Sequence, residues 1–596
     1  RIGSDDRVTV IVKHLEMGQG TYTGLATLLA EELDAAWAQV HVEGAPANAE
    51  LYNNLLWGNV QGTGGSTAIA NSFDQMRKAG AAARQMLVMA AAEQWQVDPA
   101  DITVDSGVVN HSASGRTSRF GELADAAARQ TVPEEVSLKS QDQFKLIGKR
   151  LPRKDSPSKI DGSAIFTIDV RLPGMLTAMV AHPPRFGARI RSFDASAAQA
   201  LSGVKQVLQI PSGVAVVARD FWSAKRGRDL LRIEWDESEA FTLSSAQIIE
   251  KYRALATEPG LVARSEGNTT EALAKASKVI ETEYNVPYLA HAAMEPMDCV
   301  ARIDASGCEI WNGEQMNTGD QHAVAGILGI KPEQVRINML YAGGSFGRRA
   351  NPKADYVLEA VHIAKALKPG VPVKLIWSRE DDMRAGFYRP LYIHRLRAAL
   401  DGDKQPVAWE QRIIGQSILA GTPFESVMVK DGIDQTSVEG AANLPYTLDN
   451  IKVDLHSPQL PVPVLWWRSV GSTHTAFAVE CFIDELAEAA GRRQQVGEVQ
   501  VHRHRCRQVP HQDLPQPRTT KLLKRGEYDM PTGDPLQPGT PTVMGAFPDD
   551  APRNRLGLAR WLTAREHPLV ARHEAGGLFD KLAVELGADL APVGLA

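Results

Sequence analysis

Three glycine-rich turns carry the residues of this chain that are best suited to hold a ligand. Each follows a stretch with strand character and precedes one with helical character: Met17-Gly18-Gln19-Gly20, Gly64-Gly65-Ser66-Thr67 and Gly343-Gly344-Ser345-Phe346-Gly347. We call them the first, second and third turns. Glycine leaves backbone N–H groups accessible, and a helix N-terminus attracts anions, so such turns can bind phosphate or a large anionic cofactor. None has the P-loop or G-x-G-x-x-G pattern, and each alone is more typical of tight packing.

Two charged segments and one pair of residues offer further chemistry. The segment Trp466-Trp467-Arg468-Ser469-Val470-Gly471 puts a guanidinium beside two indoles, where Arg468 could pair with an anionic ligand or with a buried carboxylate. His291 and Glu295 are four residues apart, which on a helix would suit a zinc pair, but no third ligand accompanies them. A polar cluster at a turn is therefore the favoured interpretation. The run at residues 379–382, Arg-Glu-Asp-Asp, is typical of a solvated loop.

The elements that must position these residues alternate between strands and helices. The pattern predicts strands at 8–12, 40–42, 164–166, 204–210, 214–217, 231–235, 335–340, 374–377, 393–400 and 407–418, and helices at 25–33, 72–90, 194–201, 221–230, 356–364 and 476–490. Ser72 and Gln75 stand at capping-box spacing and predict the start of the long helix. The polar stretch at 131–143 is typical of a linker. The predicted fold class is α+β, a mixed α/β architecture.

Length and composition exclude several classes of protein. The 596 residues exceed what one hydrophobic core supports, so we expect two to four domains. With 65 Lys and Arg against 71 Asp and Glu, the chain lacks the basic footprint of a nucleic-acid or anionic-lipid binder. No apolar run reaches the roughly 18 residues of a membrane-spanning helix. Its cysteines, Cys299, Cys308, Cys481 and Cys506, form no C-x-x-C pair, which excludes an iron–sulfur cluster on clustered thiolates.

Together, the motifs resemble one family. In chain order they are the first turn, the second turn, His291-Ala292-Ala293-Met294-Glu295-Pro296, the third turn with Arg348-Arg349, Arg379-Glu380-Asp381-Asp382 and Trp467-Arg468-Ser469-Val470-Gly471. This order resembles the molybdopterin-binding large subunit of the xanthine dehydrogenase/aldehyde oxidase family. The chain is most similar to the isoquinoline 1-oxidoreductase beta-subunit type, in which a Gly-Gln-Gly segment precedes the hammerhead domain. The resemblance covers about residues 1–490.

The resemblance implies a domain order and a cofactor. Residues 1–140 would be part of the second molybdopterin-binding domain, 144–285 the α/β hammerhead domain and 286–490 the first molybdopterin-binding domain. The cofactor would be molybdenum–molybdopterin in its cytosine dinucleotide form. The implied cofactor-binding residues are Gly18, Gln19, Gly20, Gly65, Ser66, Gly343, Gly344, Phe346, Gly347 and Arg468. No side chain of the chain is expected to coordinate the metal.

The resemblance also implies a reaction and a partner. The protein would oxidise an N-heterocycle or an aldehyde, inserting an oxygen atom from water at an electron-poor carbon. Electrons would pass to a separate small [2Fe-2S] subunit. Many relatives of this type are exported to the periplasm, and the first residue, Arg1, is interpreted as the start of a trimmed chain without a signal peptide.

The region beyond residue 490 departs from the family. The usual Gly-Val-Gly-Glu-Pro-like segment, whose glutamate acts as general base, is not found, so the catalytic residue stays unassigned. Residues 491–525 hold six Gln, seven Arg and three His without periodicity, which indicates a linker or a change of reading frame; the basic run 503–507 could instead be a nucleic-acid tail. Residues 521–575 resemble a planctomycete C-terminal domain of unknown function, so 526–596 is predicted to be an unrelated small helical tail. The alternative function is a catalytically inactive chimera or remnant that at most binds a partner.

Overall fold

The computed structural model describes residues 1–491. The segment from 492 to 525, the predicted helical tail at 526–596 and Cys506 lie outside the described residues. Across residues 1–491, strands and helices alternate and pack in layers, which confirms the mixed α/β class. Within the same residues, no helix is both long and apolar enough to cross a lipid bilayer.

The first region, up to residue 127, is built around two long helices that pack on a parallel pair of strands. Its elements are β1 (Val8–Val12), α1 (Thr21–Leu33), β2 (Val40–Gly44), α2 (Ala49–Tyr52), α3 (Ala68–Trp95), β3 (Ile102–Asp105), β4 (Val108–His111), β5 (Arg116–Arg119) and α4 (Phe120–Ala127). The apolar face of α1 that carries Leu25, Leu28 and Leu33 is buried in one core with Leu87 and Ala91 of α3. This helical spacing of leucines is what the sequence predicted.

The start of α3 differs from the prediction. The helix begins at Ala68, and Ser72 is a buried residue inside it rather than its cap. The reason lies in the second turn, where the amide of Thr67 (3.2 Å) and its hydroxyl (2.8 Å) both donate to the carbonyl of Gly64. These bonds close the second turn, so the helix begins four residues earlier than predicted.

The second region carries short strands and helices between residues 156 and 286. Its elements are α5 (Ser156–Asp161), β6 (Leu176–Ala181), β7 (Arg189–Asp194), α6 (Ser196–Gln199), β8 (Val204–Ile210), β9 (Gly213–Ala218), α7 (Phe221–Asp229), β10 (Arg232–Asp236), α8 (Ser245–Leu255), β11 (Leu261–Glu266), α9 (Thr269–Lys275) and β12 (Lys278–Val286). The strand predicted at 164–166 is wrong, because only Phe166 forms a bridge, to Tyr341. The helix predicted at 194–201 shortens to α6, because Asp194 ends β7.

The third region contains the remaining elements. They are β13 (Asp298–Asp304), β14 (Gly307–Asn312), α10 (Asn317–Leu328), β15 (Val335–Met339), α11 (Asp355–Ala366), β16 (Val373–Ile376), α12 (Arg379–Arg384), β17 (Tyr392–Leu400), β18 (Pro406–Gly415), α13 (Glu425–Met428), β19 (Val429–Lys430), β20 (Ile433–Asp434), α14 (Gln435–Val438), β21 (Ile451–His456) and α15 (Ser472–Ala489). The predicted antiparallel pairing of the strands that became β17 and β18 is confirmed.

Two large sheets join the second and third regions. One has seven strands in the order β15-β14-β13-β16-β6-β9-β8, with β6 parallel to β16. The other has five strands in the order β11-β21-β18-β17-β12. Hydrogen bonding therefore crosses the predicted boundary between residues 285 and 286, and the domain limits remain a prediction.

The predicted linker at 131–143 is held against α1 rather than free. The ammonium of Lys139, nearly buried, pairs with Asp34 (2.7 Å) and Glu31 (3.1 Å). Glu31 also accepts hydrogen bonds from the backbone amides of residues 145, 146 and 147 at 2.6–3.1 Å. These bonds fix the chain where it leaves the first region, and they hold the pKa of Glu31 below its usual value despite its burial.

Candidate functional site

The three glycine turns meet at one place in the fold. The amide of Leu15, just before the first turn, donates to Thr63 Oγ1 of the second (2.9 Å). The amide of Ala342, just before the third turn, donates to the carbonyl of Glu16 (3.1 Å). Turns separated by more than 270 residues are thus neighbours, as expected for a composite ligand site.

Gln315 joins the second and third turns, and sequence reasoning missed it. Its Nε2 donates to the carbonyl of Thr63 (2.7 Å), its own carbonyl accepts the Thr63 amide (2.8 Å), and the Ser345 hydroxyl donates to its Oε1. Gln315 is 3% exposed. The sequence signal that could have found it is the polar pair Glu314-Gln315, just after the strand β14. Side chains that follow neighbouring strands gather at the edge of a sheet.

Arg349 holds the third turn in place. Its guanidinium, fully buried, pairs with Glu295 (2.9 Å) and donates to the carbonyls of Gly344 (3.1 Å) and Gly313 (3.1 Å). Glu295 in turn accepts the amide of Gly343 (2.8 Å). Because the guanidinium is bound to the third turn, to Gly313 and to Glu295 at once, it holds these three segments together and makes the turn rigid.

The glycines of the third turn are required by packing. A Cβ at Gly343 would lie 2.4 Å from the Cβ of Glu295, and a Cβ at Gly347 would lie 2.5 Å from the carbonyl oxygen of Trp466. The interpretation of this turn as a close-packed one is therefore confirmed for these two residues. It does not account for Phe346, which is 40% exposed with a φ of +57°.

Backbone strain concentrates where the third turn meets the 466–470 segment. The amide of Arg468 donates to the carbonyl of Phe346 (2.7 Å). Besides Phe346, both Ser469 (φ +75°) and the β-branched Val470 (φ +46°) have left-handed backbones. Such conformations cost about 1–3 kcal/mol each and cluster at ligand sites. Three of them at one contact make this face of the third turn a candidate ligand site.

Arg468 is exposed, and within residues 1–491 it forms no ion pair. The indoles beside it are used elsewhere, since Trp467 stacks on His291 with centroids 5.0 Å apart and Trp466 lies edge-on to Phe424 at 5.8 Å. The alternative of a buried carboxylate partner for Arg468 is therefore wrong for the described part of the chain. Its guanidinium is free to meet an anionic ligand, and its assignment to the cofactor or substrate stays a prediction.

His291 and Glu295 are not on a helix, and each has its own partner. Glu295 pairs with Arg349, and His291 Nε2 lies 2.9 Å from the carbonyl oxygen of Trp466. Burial lowers the pKa of His291 to about 4, so the ring is neutral at pH 7. The polar-cluster interpretation is confirmed. In the described residues, no group of three or more His, Cys, Asp or Glu side chains is arranged to hold a metal ion.

The charge run at 379–382 is a helix rather than the predicted solvated loop. Ser378 caps α12 by accepting from the Asp381 amide, and Asp382 is 4% exposed. Arg379 pairs with Asp382 (2.9 Å) and donates to the carbonyls of Ala293 (2.5 Å) and Met294 (3.0 Å). The run therefore positions the segment that contains Glu295.

The second turn offers open backbone. Gly65 and Ser66 are exposed and both have left-handed backbones, with φ of +59° and +57°. They stand at the N-terminus of α3, a 28-residue helix. The first N–H groups of a helix have no intrahelical acceptor and its N-terminus carries partial positive charge, so this turn can accept an anionic group.

The first turn is closed by its own side chains. The fully buried carboxylate of Glu16 accepts the amides of Gly18 (2.8 Å), Gly20 (3.2 Å) and Tyr22 (3.1 Å). Arg153 also pairs with it at 3.1 Å. The side chain of Gln19 closes on its own turn, bound to the Leu15 carbonyl (2.7 Å) and the Met17 amide (2.8 Å). The predicted cofactor contacts of Gly18, Gln19 and Gly20 therefore require these bonds to be exchanged, and they stay predictions.

Comparisons with known proteins give a consistent result. Residues 1–170 and 255–495 each match a family model described as a molybdopterin cofactor-binding domain. The beta subunit of isoquinoline 1-oxidoreductase from Brevundimonas diminuta is 32% identical, over 82% of this chain and 67% of that protein. A membrane-bound aldehyde dehydrogenase (pyrroloquinoline-quinone) from Gluconacetobacter polyoxogenes is 30% identical, over 82% and 64%.

Among solved structures, quinoline 2-oxidoreductase from Pseudomonas putida 86 aligns with a TM-score of 0.47 and 22% identity, over 58% of this chain and 49% of that one. The chain spans about two thirds of the length of the two curated relatives.

Proposed function

Since this chain belongs to the molybdopterin-dependent xanthine dehydrogenase/aldehyde oxidase family, we propose that it is the large subunit of a molybdenum hydroxylase. Its substrate would be an N-heterocycle or an aldehyde. The observation that carries the proposal is the meeting of the three glycine turns, the second and third of them joined by Gln315, with strained, exposed backbone at Phe346.

The residues at these turns fit a large anionic cofactor. Gly65 and Ser66 present a helix N-terminus, and Phe346 is held exposed in a strained conformation by a hydrogen bond from the amide of Arg468, whose side chain is exposed. When bound, molybdopterin would supply the redox chemistry and the activation of water. The chain's own residues would bind the cofactor through open amides, and Gln315 and Arg349 would keep the second and third turns at a fixed separation.

The finer points of the proposal concern the cofactor form, the electron acceptor and the location. We propose the cytosine dinucleotide form, a separate small [2Fe-2S] subunit as acceptor, and the periplasm as compartment. The names of the relatives as subunits support a multi-subunit enzyme. The same relatives favour an enzyme over an inactive chimera or remnant, although the general base remains unassigned.

The first test is the cofactor content of the purified full-length chain. We expect molybdenum, measured by mass spectrometry, and cytidine nucleotide released by acid hydrolysis, in equal amounts. Gly344→Val should lose both, because a Cβ at this left-handed position (φ +99°) would lie 3.3 Å from the Cβ of Ala293 and would displace the third turn. The matched control is Gly115→Val, at a left-handed hairpin glycine with nothing within 4 Å of its Cβ position, and it should retain both. Folded protein without molybdenum and cytidine would contradict the proposal.

The second test separates an active enzyme from a remnant. The full-length chain, expressed with a candidate iron–sulfur subunit, is assayed with isoquinoline and with an aromatic aldehyde and an artificial electron acceptor. Turnover of either compound supports the proposal. Loaded protein that turns over neither would favour the remnant.

A further inference from the structure

The segment at residues 419–428 leads from β18 to β19, and its hydrogen bonds are all local. The Gly421 amide, for example, donates to the carboxylate of Glu425 (2.7 Å). The backbone bonds of the segment likewise join residues no more than four apart. Within residues 1–491, no hydrogen bond or ion pair joins this segment to a residue outside 417–429.

The tip of this segment is held by the side chain of Phe424. Its ring lies edge-on to two indoles, with centroids 6.4 Å from Trp57 and 5.8 Å from Trp466. Of the residues from 420 to 426, only Thr422 and Phe424 are partly buried. The ring of Phe424 is therefore the large apolar contact between the tip and the rest of the protein.

The two indoles that Phe424 contacts are packed on the second and third turns. A Cβ at Gly64, in the second turn, would lie 3.0 Å from the ring of Trp57. A Cβ at Gly347, which ends the third turn, would lie 3.2 Å from Cδ1 of Trp466. Phe424 therefore connects the second turn to the third through these two rings.

The two connections between these turns differ in kind. Gln315 is buried and hydrogen-bonded to both turns, whereas Phe424 is half-buried and contributes only the edges of aromatic rings. A segment with few bonds to its surroundings opens locally, without unfolding of the whole domain. Its ends stay anchored, because the Ser417 hydroxyl donates to the buried Asp434 (2.6 Å) and β19 pairs with β20. The tip is thus free to move as a unit about two fixed ends.

We infer that residues 419–428 are a lid over the passage between the second and third turns, held closed by the contacts of Phe424 with Trp57 and Trp466. When the tip opens, Phe424 leaves the two indoles and the space between the turns becomes accessible. When it closes, the three rings exclude water from that space. Lids of this kind control how fast a ligand enters and leaves a site.

A lid suits a site whose walls are fixed. Gln315 and Arg349 hold the second and third turns at one separation, so a large ligand does not enter by moving the turns apart. Opening of the tip breaks no hydrogen bond to another element of the described chain. The inference rests on the proposed function only in naming molybdopterin as the molecule that passes the lid.

The test is hydrogen–deuterium exchange of the full-length chain, measured by mass spectrometry of its peptides. We expect Phe424→Ala to speed exchange at least about tenfold in residues 419–428 and about threefold in the second and third turns, with β17 and β18 unchanged. Phe424→Tyr, which keeps the ring, should exchange like the wild type. The matched control Phe477→Ala removes a ring that is 49% exposed on α15 and packs on Tyr284, and it should leave these regions unchanged.

Three results of the exchange experiment would overturn the inference. They are unchanged exchange of residues 419–428 in Phe424→Ala, faster exchange there with both turns unaffected, and faster exchange throughout β17 and β18, which would make Phe424 a general core residue. If Phe424→Ala does not fold by circular dichroism, Phe424→Leu replaces it.

A second measurement separates the lid from the proposed function. Molybdenum should leave Phe424→Ala at least about fivefold faster than the wild type during dialysis, and equal release would show that the segment is not the entrance. Wild-type protein without molybdenum would contradict the proposed function, and the exchange experiment would still decide whether residues 419–428 are a lid.

Discussion

The first and third glycine turns are alike in sequence and opposite in structure. Both follow a strand and precede a helix, yet the amides of Gly18 and Gly20 are bound by Glu16, whereas the third turn holds Phe346 exposed and strained. The carboxylate in the first turn sits where a ligand's anionic group would sit. The comparison teaches that a neighbouring carboxylate can occupy the N–H groups of a glycine turn, as Glu16 does at Gly18 and Gly20 and Glu295 does at Gly343, and that the two turns differ in the exposed, strained Phe346.

The largest expected effect comes from removing the Glu16 carboxylate that binds the amides of the first turn. Glu16→Ala should lower the free energy of unfolding by about 3–5 kcal/mol, because it leaves three buried or half-buried amides without their acceptor and removes one of the two carboxylates that pair with Arg153. The measurement is urea titration of the full-length chain. Glu43→Ala, which removes an exposed pair with Arg1, should change stability by less than about 1 kcal/mol. Equal losses in both variants would show that the first turn is not held by Glu16.

A matched pair of glycine substitutions sharpens the difference in packing. Gly347→Ala should destabilise by about 2–4 kcal/mol, because a left-handed alanine also collides with the Trp466 carbonyl. Gly18→Ala has a similar φ, +110° against +108°, but nothing within 4 Å, so only backbone strain of about 1–2 kcal/mol applies. Thermal and urea unfolding of the two variants check this order. Equal effects would mean that the third turn yields to accommodate the methyl group.

Gln315 tests whether the second and third turns work as one unit. Gln315→Leu should lower stability by about 1–3 kcal/mol, because the Thr63 backbone and the Ser345 hydroxyl lose their buried partner. It should also lower the molybdenum retained after gel filtration. Gln130→Leu, at a half-buried glutamine whose amide bonds to Glu93 at the surface, is the control. Full stability together with full molybdenum would separate Gln315 from the site.

The smallest expected effect, counted per pH unit, is the change of folding stability with pH. The pKa of His291 is about 4 in the folded chain against about 6.5 unfolded, so the unfolded state binds more protons between these values. Stability should therefore fall as pH drops from 6.5 towards 4, with this residue contributing up to about 1.4 kcal/mol per pH unit. His291→Phe, which keeps the ring stack on Trp467, should make that slope less steep. The reference variant is His456→Phe. An unchanged slope in His291→Phe would show that His291 does not contribute to the pH dependence of stability.

The sequence was a good guide to elements and to family, and a poor guide to the state of each turn. Strands β1, β8, β17 and β18 follow alternating or β-branched patterns that are local, and periodicity reads local patterns well. Whether Gly18 presents an open amide depends on the carboxylate of Glu16, and a turn's own composition does not reveal that partner's position. The sequence of the turn alone could not determine whether the Gly18 amide is open.

The residues that complete the site were missed for a related reason. Gln315 and Arg349 act through partners 30 to 252 residues away, such as Thr63 and Ser345 for Gln315.

The pairing of β6 with β16 also has a consequence for how the protein is made. The middle of the seven-stranded sheet joins residues 176–178 to residues 373–375. At a ribosomal rate of about 5–20 residues per second, the earlier strand waits about 10–40 s for its neighbour. During that interval its edge is unpaired and apolar, a state that invites association with other nascent chains. We therefore expect yield of soluble protein to depend on chaperone supply and on translation speed across residues 180–375.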